Sequence, residues 1–292
     1  MTTRCITQSE MVTFGRCEQL HQFKYLQRLR PHLESSSLEM GTAVHLGLEL
    51  QDPAAAFKFI QDKKARLITR DSLESADVAS GIARIMVAGA LRQWDDWPEI
   101  QEFEFVLPLR NPKTGRVSRA HAFAGKMDGL CLKNNEVTEY KTSSRVDNSY
   151  MDRLDVDFQV SAMLEAASLE FKRLFRRMRY KIIRKPTMKR RKGDTVDDYL
   201  NRMAVDYAKR PEFYYFEETV TRSEQQMDLW RREAWEIHKR IMYTENGGQA
   251  VRNTESCVGR CGRCAFLDLC CGAVTKDAYR VIDDPHPDLV AA

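Results

Sequence analysis

Two carboxylates and a lysine lie close together near the middle of the chain: Asp128, then Glu139-Tyr140-Lys141. The ten residues between Asp128 and Glu139 include the turn-forming Lys133-Asn134-Asn135, which predicts two neighbouring strands joined by a tight turn. Side chains alternate along a strand, so Glu139 and Lys141 share a face, and Asp128 on the neighbour joins them. Such a group is costly to bury unless a cation is present. Hard oxygen donors suit Mg²⁺ or Mn²⁺. A divalent ion there would act on a phosphodiester as Lewis acid and nucleophile generator, with Lys141 orienting or helping to deprotonate an attacking water. The plain alternative is a cross-strand salt bridge on a solvated sheet face. Gly125 and Gly129 bracket Asp128 and would permit close backbone approach at the strand end.

The second chemical feature is sulfur. Residues 257–271 read CVGRCGRCAFLDLCC and hold five of the eight cysteines. Cys261-x2-Cys264-x5-Cys270 is metal-ligand spacing, because the short x2 loop turns two thiolates toward one centre. Cys257, Cys261, Cys264 and Cys270 would hold Zn²⁺ tetrahedrally. Three of them with the distant Cys17 would instead hold an iron–sulfur cluster, with Cys257 an alternate for Cys261. The start of the chain, Met1-Thr-Thr-Arg-Cys-Ile-Thr7, has no apolar signal core, so a cytoplasmic protein is expected and disulfides are not. No run approaches the ~18 apolar residues of a membrane span.

The third feature is charge. The net charge is only +4, yet residues 171–192 carry twelve Lys/Arg and no acid, leaving 34 bases against 42 acids elsewhere. This asymmetry points to a polyanion such as DNA, bound through phosphate contacts. The candidates are Arg176, Arg177, Lys181, Arg184, Lys185, Lys189, Arg190 and Arg191. A solvated helix face is the alternative. Tyr180, Tyr214, Tyr215 and Phe216 would stack bases or, more ordinarily, fill a sheet core.

The elements that must position these groups follow from periodicity. Residues 8–50 and 54–94 are expected to be helical, with a new helix after the serines at 35–37 and a break at Trp97-Pro98. Residues 101–109, 119–132 and 137–141 read as a three-stranded meander. A helix is expected over 156–175, with Val160, Met163, Leu164, Ala167, Phe171 and Leu174 as its apolar stripe. Strands at 180–184 and 212–216 and helices at 195–208 and 223–242 complete the pattern; the last helix opens with a Ser223/Gln226 capping box. No Walker A phosphate loop is present, so the chain is not itself a motor.

Taken in order, Asp128, Glu139-Tyr140-Lys141 and Gln159 resemble the PD-(D/E)XK nuclease superfamily, in particular its RecB-like branch. Ser9-Glu-Met-Val-Thr-Phe-Gly-Arg-Cys17 resembles the opening helix of that branch, and Gly41-Thr-Ala-Val-His45 its histidine motif. Residues 180–189 and 210–215 resemble phage-type exonucleases. The resemblance implies an α/β fold: a restriction-endonuclease-like core, a central mixed sheet flanked by helices, with an N-terminal helical region and a C-terminal iron–sulfur staple. It divides the chain into 1–100, a nuclease core at 101–245, the cysteine cluster at 246–278 and a tail at 279–292, all in one integrated domain. It implies that His45, Asp128, Glu139 and the Tyr140 carbonyl bind Mg²⁺ or Mn²⁺, and that Gln159 contacts substrate or orients the site. It also implies a 4Fe-4S cluster on Cys17, Cys261, Cys264 and Cys270. The family often has a tyrosine four residues after the glutamine; here that position is Met163. The implied activity is a deoxyribonuclease, an exonuclease of recombination, repair or phage DNA processing, working beside a helicase or recombination protein in a bacterial or phage-infected cell. The competing readings are an inactive zinc-stapled DNA-binding module and a nuclease of CRISPR spacer acquisition.

Overall fold

The computed structural model describes residues 3–32, 36–64, 70–259, 262–286 and 289. The chain opens with β1 (Arg4–Thr7), which runs directly into α1 (Gln8–Arg16). Thr7 caps that helix by accepting the Glu10 N–H. Cys17 is extended and ends it; α2 (Glu18–His21), a π-helical turn (Gln22–Leu26) and β2 (Leu29–Arg30) follow. Then come α3 (Ser36–Glu49), α4 (Pro53–Lys64) and α5 (Arg70–Gln93). The meander is β3 (Ile100–Arg110), β4 (Val117–Cys131) and β5 (Glu136–Ser143). It is followed by α6 (Asn148–Leu154), α7 (Phe158–Phe171), β6 (Arg177–Arg184), α8 (Val196–Lys209), α9 (Pro211–Tyr214), β7 (Tyr215–Thr221) and α10 (Glu224–Glu245). The C-terminal part holds β8 (Val258–Gly259), β9 (Gly262–Arg263), α11 (Leu267–Cys270) and β10 (Arg280–Val281), which pairs with β2.

Six of these strands form one mixed sheet. β4 is its spine. Antiparallel β3 covers one edge of β4; the other edge is shared by parallel β1, along residues 121–124, and antiparallel β5, along residues 129–131. β5 pairs in parallel with β6, and β6 antiparallel with β7. The fold is therefore α/β, with helices on both faces. On one face α1, α7 and α10 bury Met11, Leu164 and Trp230. On the other, α3, α5 and α8 bury Val44, Met86 and Tyr207. Among the described residues no helix is long and apolar enough to cross a membrane.

Several expectations need correction. The helix expected over 156–175 stops at Phe171, where Lys172 turns left-handed (φ 52°), so Leu174 leaves the stripe and is 64% exposed. The strand expected at 212–216 begins at Tyr215, because Pro211 opens the short helix α9. The helical run over 8–50 is broken at Cys17 and again at β2. β1 and α6 gave no periodic signal, being only four and seven residues long. Gly125 and Gly129 make room for side chains rather than for a ligand: a Cβ would meet the Phe105 ring at 2.7 Å in the first and Pro98 at 2.5 Å in the second.

Candidate active site

The site forms where the β4–β5 ladder ends. Gly129↔Thr138 is the last paired register. One step further the Asp128 carboxylate takes over, with Oδ2 accepting the Tyr140 N–H at 2.7 Å. The side chain satisfies a strand amide that the neighbouring backbone no longer reaches. The strands part there, and Glu139 and Lys141 occupy the gap, with the Lys141 ammonium hydrogen-bonded to Glu139 Oε1. From α7, the Gln159 amide donates to the same Oε1 at 2.7 Å. Its own backbone is fixed by Asp157, which caps the helix. From α3, His45 Nδ1 comes within 3.5 Å of Asp128 Oδ1.

The electrostatics follow from burial beside opposite charges. Burial raises the Glu139 carboxyl, and repulsion from Asp128 adds to it, outweighing Lys141 and His45, so that it is pushed up to about 7. Asp128 goes the other way: burial opposes ionisation, but His45, Lys141 and the Tyr140 N–H together hold it below the usual range. Burial would lower both His45 and Lys141, yet the two carboxylates outweigh it and raise each. Glu139 Oε2 is buried with no hydrogen-bond partner among the described residues. An unpartnered carboxylate oxygen in a buried site is expensive, and a cation would satisfy it.

Glu102 completes the acidic group. Its ligand atom, with one each from His45 and Asp128, lies within a mutual 4.8 Å; among the described residues this is the one such group of three metal-ligating side chains. From their place on the first strand of the meander, Glu102 and Glu104 read as structural residues or as support for the ligands, with assistance to a second metal as the lesser alternative. Glu102 opposes Asp128 across the β3–β4 ladder, between the Gln101↔Gly129 and Phe103↔Met127 registers. Its backbone is left-handed (φ 50°), a strained state for a non-glycine residue, and opposition to Asp128 puts the two carboxylates on one face of the sheet. Two oxygen acids with one imidazole fit a hard divalent ion.

Met163 is 4% exposed in the core. Tyr180 and Tyr150 lie beside each other, with Tyr150 in electrostatic reach of Lys141. Because α6 was not foreseen, neither was Tyr150.

A sequence profile of the PD-(D/E)XK nuclease superfamily matches residues 6–271. The chain belongs to the PD-(D/E)XK nuclease superfamily. The crystal structure of the "Putative exonuclease" of Eubacterium rectale resembles it in fold, with a TM-score of 0.54 at 15% identity, over 99% of this chain and 93% of that one. No curated protein matches the sequence. The structure brings Asp128, Glu139 and Lys141 together with His45, Gln159 and the Tyr140 N–H.

Part of the basic segment is taken up by partners within the molecule. Lys181, expected to face DNA, is fully buried. Its ammonium lies 5.2 Å and 5.7 Å from the Trp94 and Trp97 ring centroids and bonds Asp96 Oδ1 at 2.8 Å. Burial lowers it to about 8. Arg184 lies over Phe213 and Phe216 and donates to the Val146 carbonyl. Arg176 pairs with Glu224, Arg177 with Glu136 and Arg190 with Glu74. For Lys181 and Arg184 the physical reason is that β6 is an interior strand, so charges along it must find partners within the fold. Tyr180, Tyr214 and Tyr215 are core residues. Lys189, Arg191 and Lys192 stay exposed in the loop after β6. Parallel pairing puts the C-terminal ends of β5 and β6 at the same edge of the sheet, and Lys185 N–H bonds the Ser143 carbonyl there. The loop therefore leaves from the edge that carries Lys141.

The chain ends meet at Cys17. Its sulfur accepts the Asn253 N–H at 3.4 Å, the Arg16 carbonyl accepts from Asn253 and Ser256, and Gln19 N–H bonds the Val251 carbonyl. Cys264 N–H bonds the Cys257 carbonyl at 2.8 Å. Cys17 and Cys257 share Asn253, whose N–H bonds the first sulfur and whose carbonyl accepts from the second, while Cys264 and Cys270 pack beside Phe266. They form no group as tight as the His45 one among the described residues, and Cys261 lies outside those residues.

Proposed function

We propose that this protein is a metal-dependent deoxyribonuclease that removes nucleotides from DNA ends, in recombination, repair or phage DNA processing. The observation that carries this is the convergence of Asp128, Glu139 and Lys141 where β4 and β5 part, with a buried Glu139 oxygen left for a cation. His45, Asp128 and Glu139, with Glu102 beside them, would hold Mg²⁺ or Mn²⁺; the Tyr140 carbonyl belongs to the same ligand set by family likeness. The ion, when bound, supplies the Lewis acid for a phosphodiester. Gln159 holds Glu139 in place, and Lys141 keeps an ammonium beside the scissile group. Lys189, Arg191 and Lys192 offer salt-sensitive phosphate contacts on the approach.

The test uses end-labelled single- and double-stranded DNA with Mg²⁺, Mn²⁺ or chelator. Label released progressively from one end, and only with metal, is expected. Binding of DNA with no cleavage of any form would defeat the proposal and favour an inactive DNA-binding module.

The meeting of Cys17 with Cys257 at Asn253, with Cys264 and Cys270 beside Phe266, supports a second metal group, because four thiolates from both ends of the chain suit an iron–sulfur cluster. Its part would be to staple residues 16–19 to residues 250–270. Anaerobically purified protein is expected to be brown, and Cys17→Ala to lose the colour and unfold more easily. Colourless protein containing zinc, with Cys17→Ala as stable as wild type, would rule the cluster out.

A further inference from the structure

We propose that the Lys126 ammonium stands in for a second divalent ion, so that this nuclease site holds a single metal. The inference rests on reading His45, Asp128 and Glu102 as a metal site.

Lys126 is two residues before Asp128 on β4, so both side chains leave the strand on the same face. Lys126 opposes Glu104 across the ladder. Its Nζ bonds Glu102 Oε2 at 2.6 Å, with 34% and 17% of the two side chains exposed. Glu49 follows His45 by one turn of α3, on the same side of the helix. Burial pulls the lysine down, but Glu102, then Glu49 and Glu104, more than compensate. Glu102 thus holds the ammonium directly, with Glu104 opposite it in the ladder.

The site has two lobes. The inner lobe holds Asp128, Glu139, Lys141 and Gln159. The outer lobe holds Glu102, Glu49, Glu104 and Lys126. They meet at Glu102, whose carboxylate serves both His45–Asp128 and Lys126. Two-ion phosphodiester sites place the ions roughly 3.5–4 Å apart, and a shared carboxylate such as Glu102 is the natural bridge between them. In this chain the outer position already carries a tethered positive charge. A second dication there would have to displace an ammonium bonded to Glu102, and would meet its repulsion at close range. The tether also holds the Glu102 carboxylate beside the inner lobe before any metal arrives.

The test counts ions. Mn²⁺ is titrated into full-length wild type, Lys126→Gln, Lys126→Arg and Asp128→Asn, with calorimetry for stoichiometry and electron paramagnetic resonance for ion pairing. One Mn²⁺ per chain is expected for wild type and for Lys126→Arg. Two are expected for Lys126→Gln, with the broadened signal of neighbouring spins, and at least tenfold weaker binding for Asp128→Asn. Circular dichroism confirms that each variant is folded. Two ions in wild type, or one in folded Lys126→Gln, would overturn the proposal. If Asp128→Asn binds like wild type, the metal site itself is misplaced; a second ion in Lys126→Gln would not rescue the inference.

Discussion

Asp128→Asn is expected to slow phosphodiester cleavage by at least about a thousandfold, the equivalent of roughly 4 kcal/mol in the barrier. The substitution keeps the shape and keeps one oxygen to accept the Tyr140 N–H. It removes the charge that faces His45 Nδ1 at 3.5 Å and that helps hold Lys141 protonated. The hard-donor set then loses its central anion. Lys189, Arg191 and Lys192 are untouched, so DNA affinity should change little. Single-turnover cleavage of labelled DNA and fluorescence anisotropy, run on the same preparations, separate the two effects. A variant that cuts within tenfold of wild type would remove Asp128 from the chemistry. Lys141→Ala should also lose cleavage, leaving Glu139 buried without its ammonium.

The largest stability effect is expected away from that site, at Glu10. This carboxylate is fully buried in α1. His21 Nε2–H donates to it at 2.7 Å, His286 Nε2–H at 2.9 Å, and the Arg4 guanidinium at 2.6 Å. Arg4 also bonds Glu245 of α10, which pairs with His121 of β4 at 2.8 Å. One carboxylate thus ties β1, α2 and the segment carrying His286, and through Arg4 reaches α10 and β4. Removing it strands buried donors, and breaking a buried pair on one side costs roughly 3–5 kcal/mol. Glu10→Ala should lose about that much at pH 7 in urea unfolding. The pH dependence has a definite sign. Burial alone would raise the Glu10 carboxyl, but the bonds from His21, His286 and Arg4 outweigh it and hold it far below the usual carboxylate range. A lowered carboxyl contributes in full above its unfolded value, about 4.3, and loses that contribution as pH falls below it toward the folded value. The gap between wild type and Glu10→Ala should therefore narrow progressively in acid from about pH 4. A loss under about 1 kcal/mol at pH 7, or a gap that widens in acid, would contradict this account.

The Glu10 network also explains a motif that the sequence offered only as a likeness. Ser9 to Cys17 resembled an opening helix, and that helix is α1. Why a glutamate follows the serine could not be read from the local pattern, because its partners lie 6, 11 and 276 residues away.

Local pattern was enough to place the strands at 101–109 and 119–132, the turn that sets Asp128 beside Glu139, and the helix opened by Ser223 and Gln226. These depend on alternation, turn residues and caps, which are encoded within a few residues of where they act. The packed fold was needed to bring Glu102 beside His45, to take Lys181 inside between two tryptophans, and to join Cys17 to Asn253. Each of these depends on which distant strand or segment becomes a neighbour. A charge in a basic run has no fixed meaning until the fold supplies, or withholds, an acid beside it.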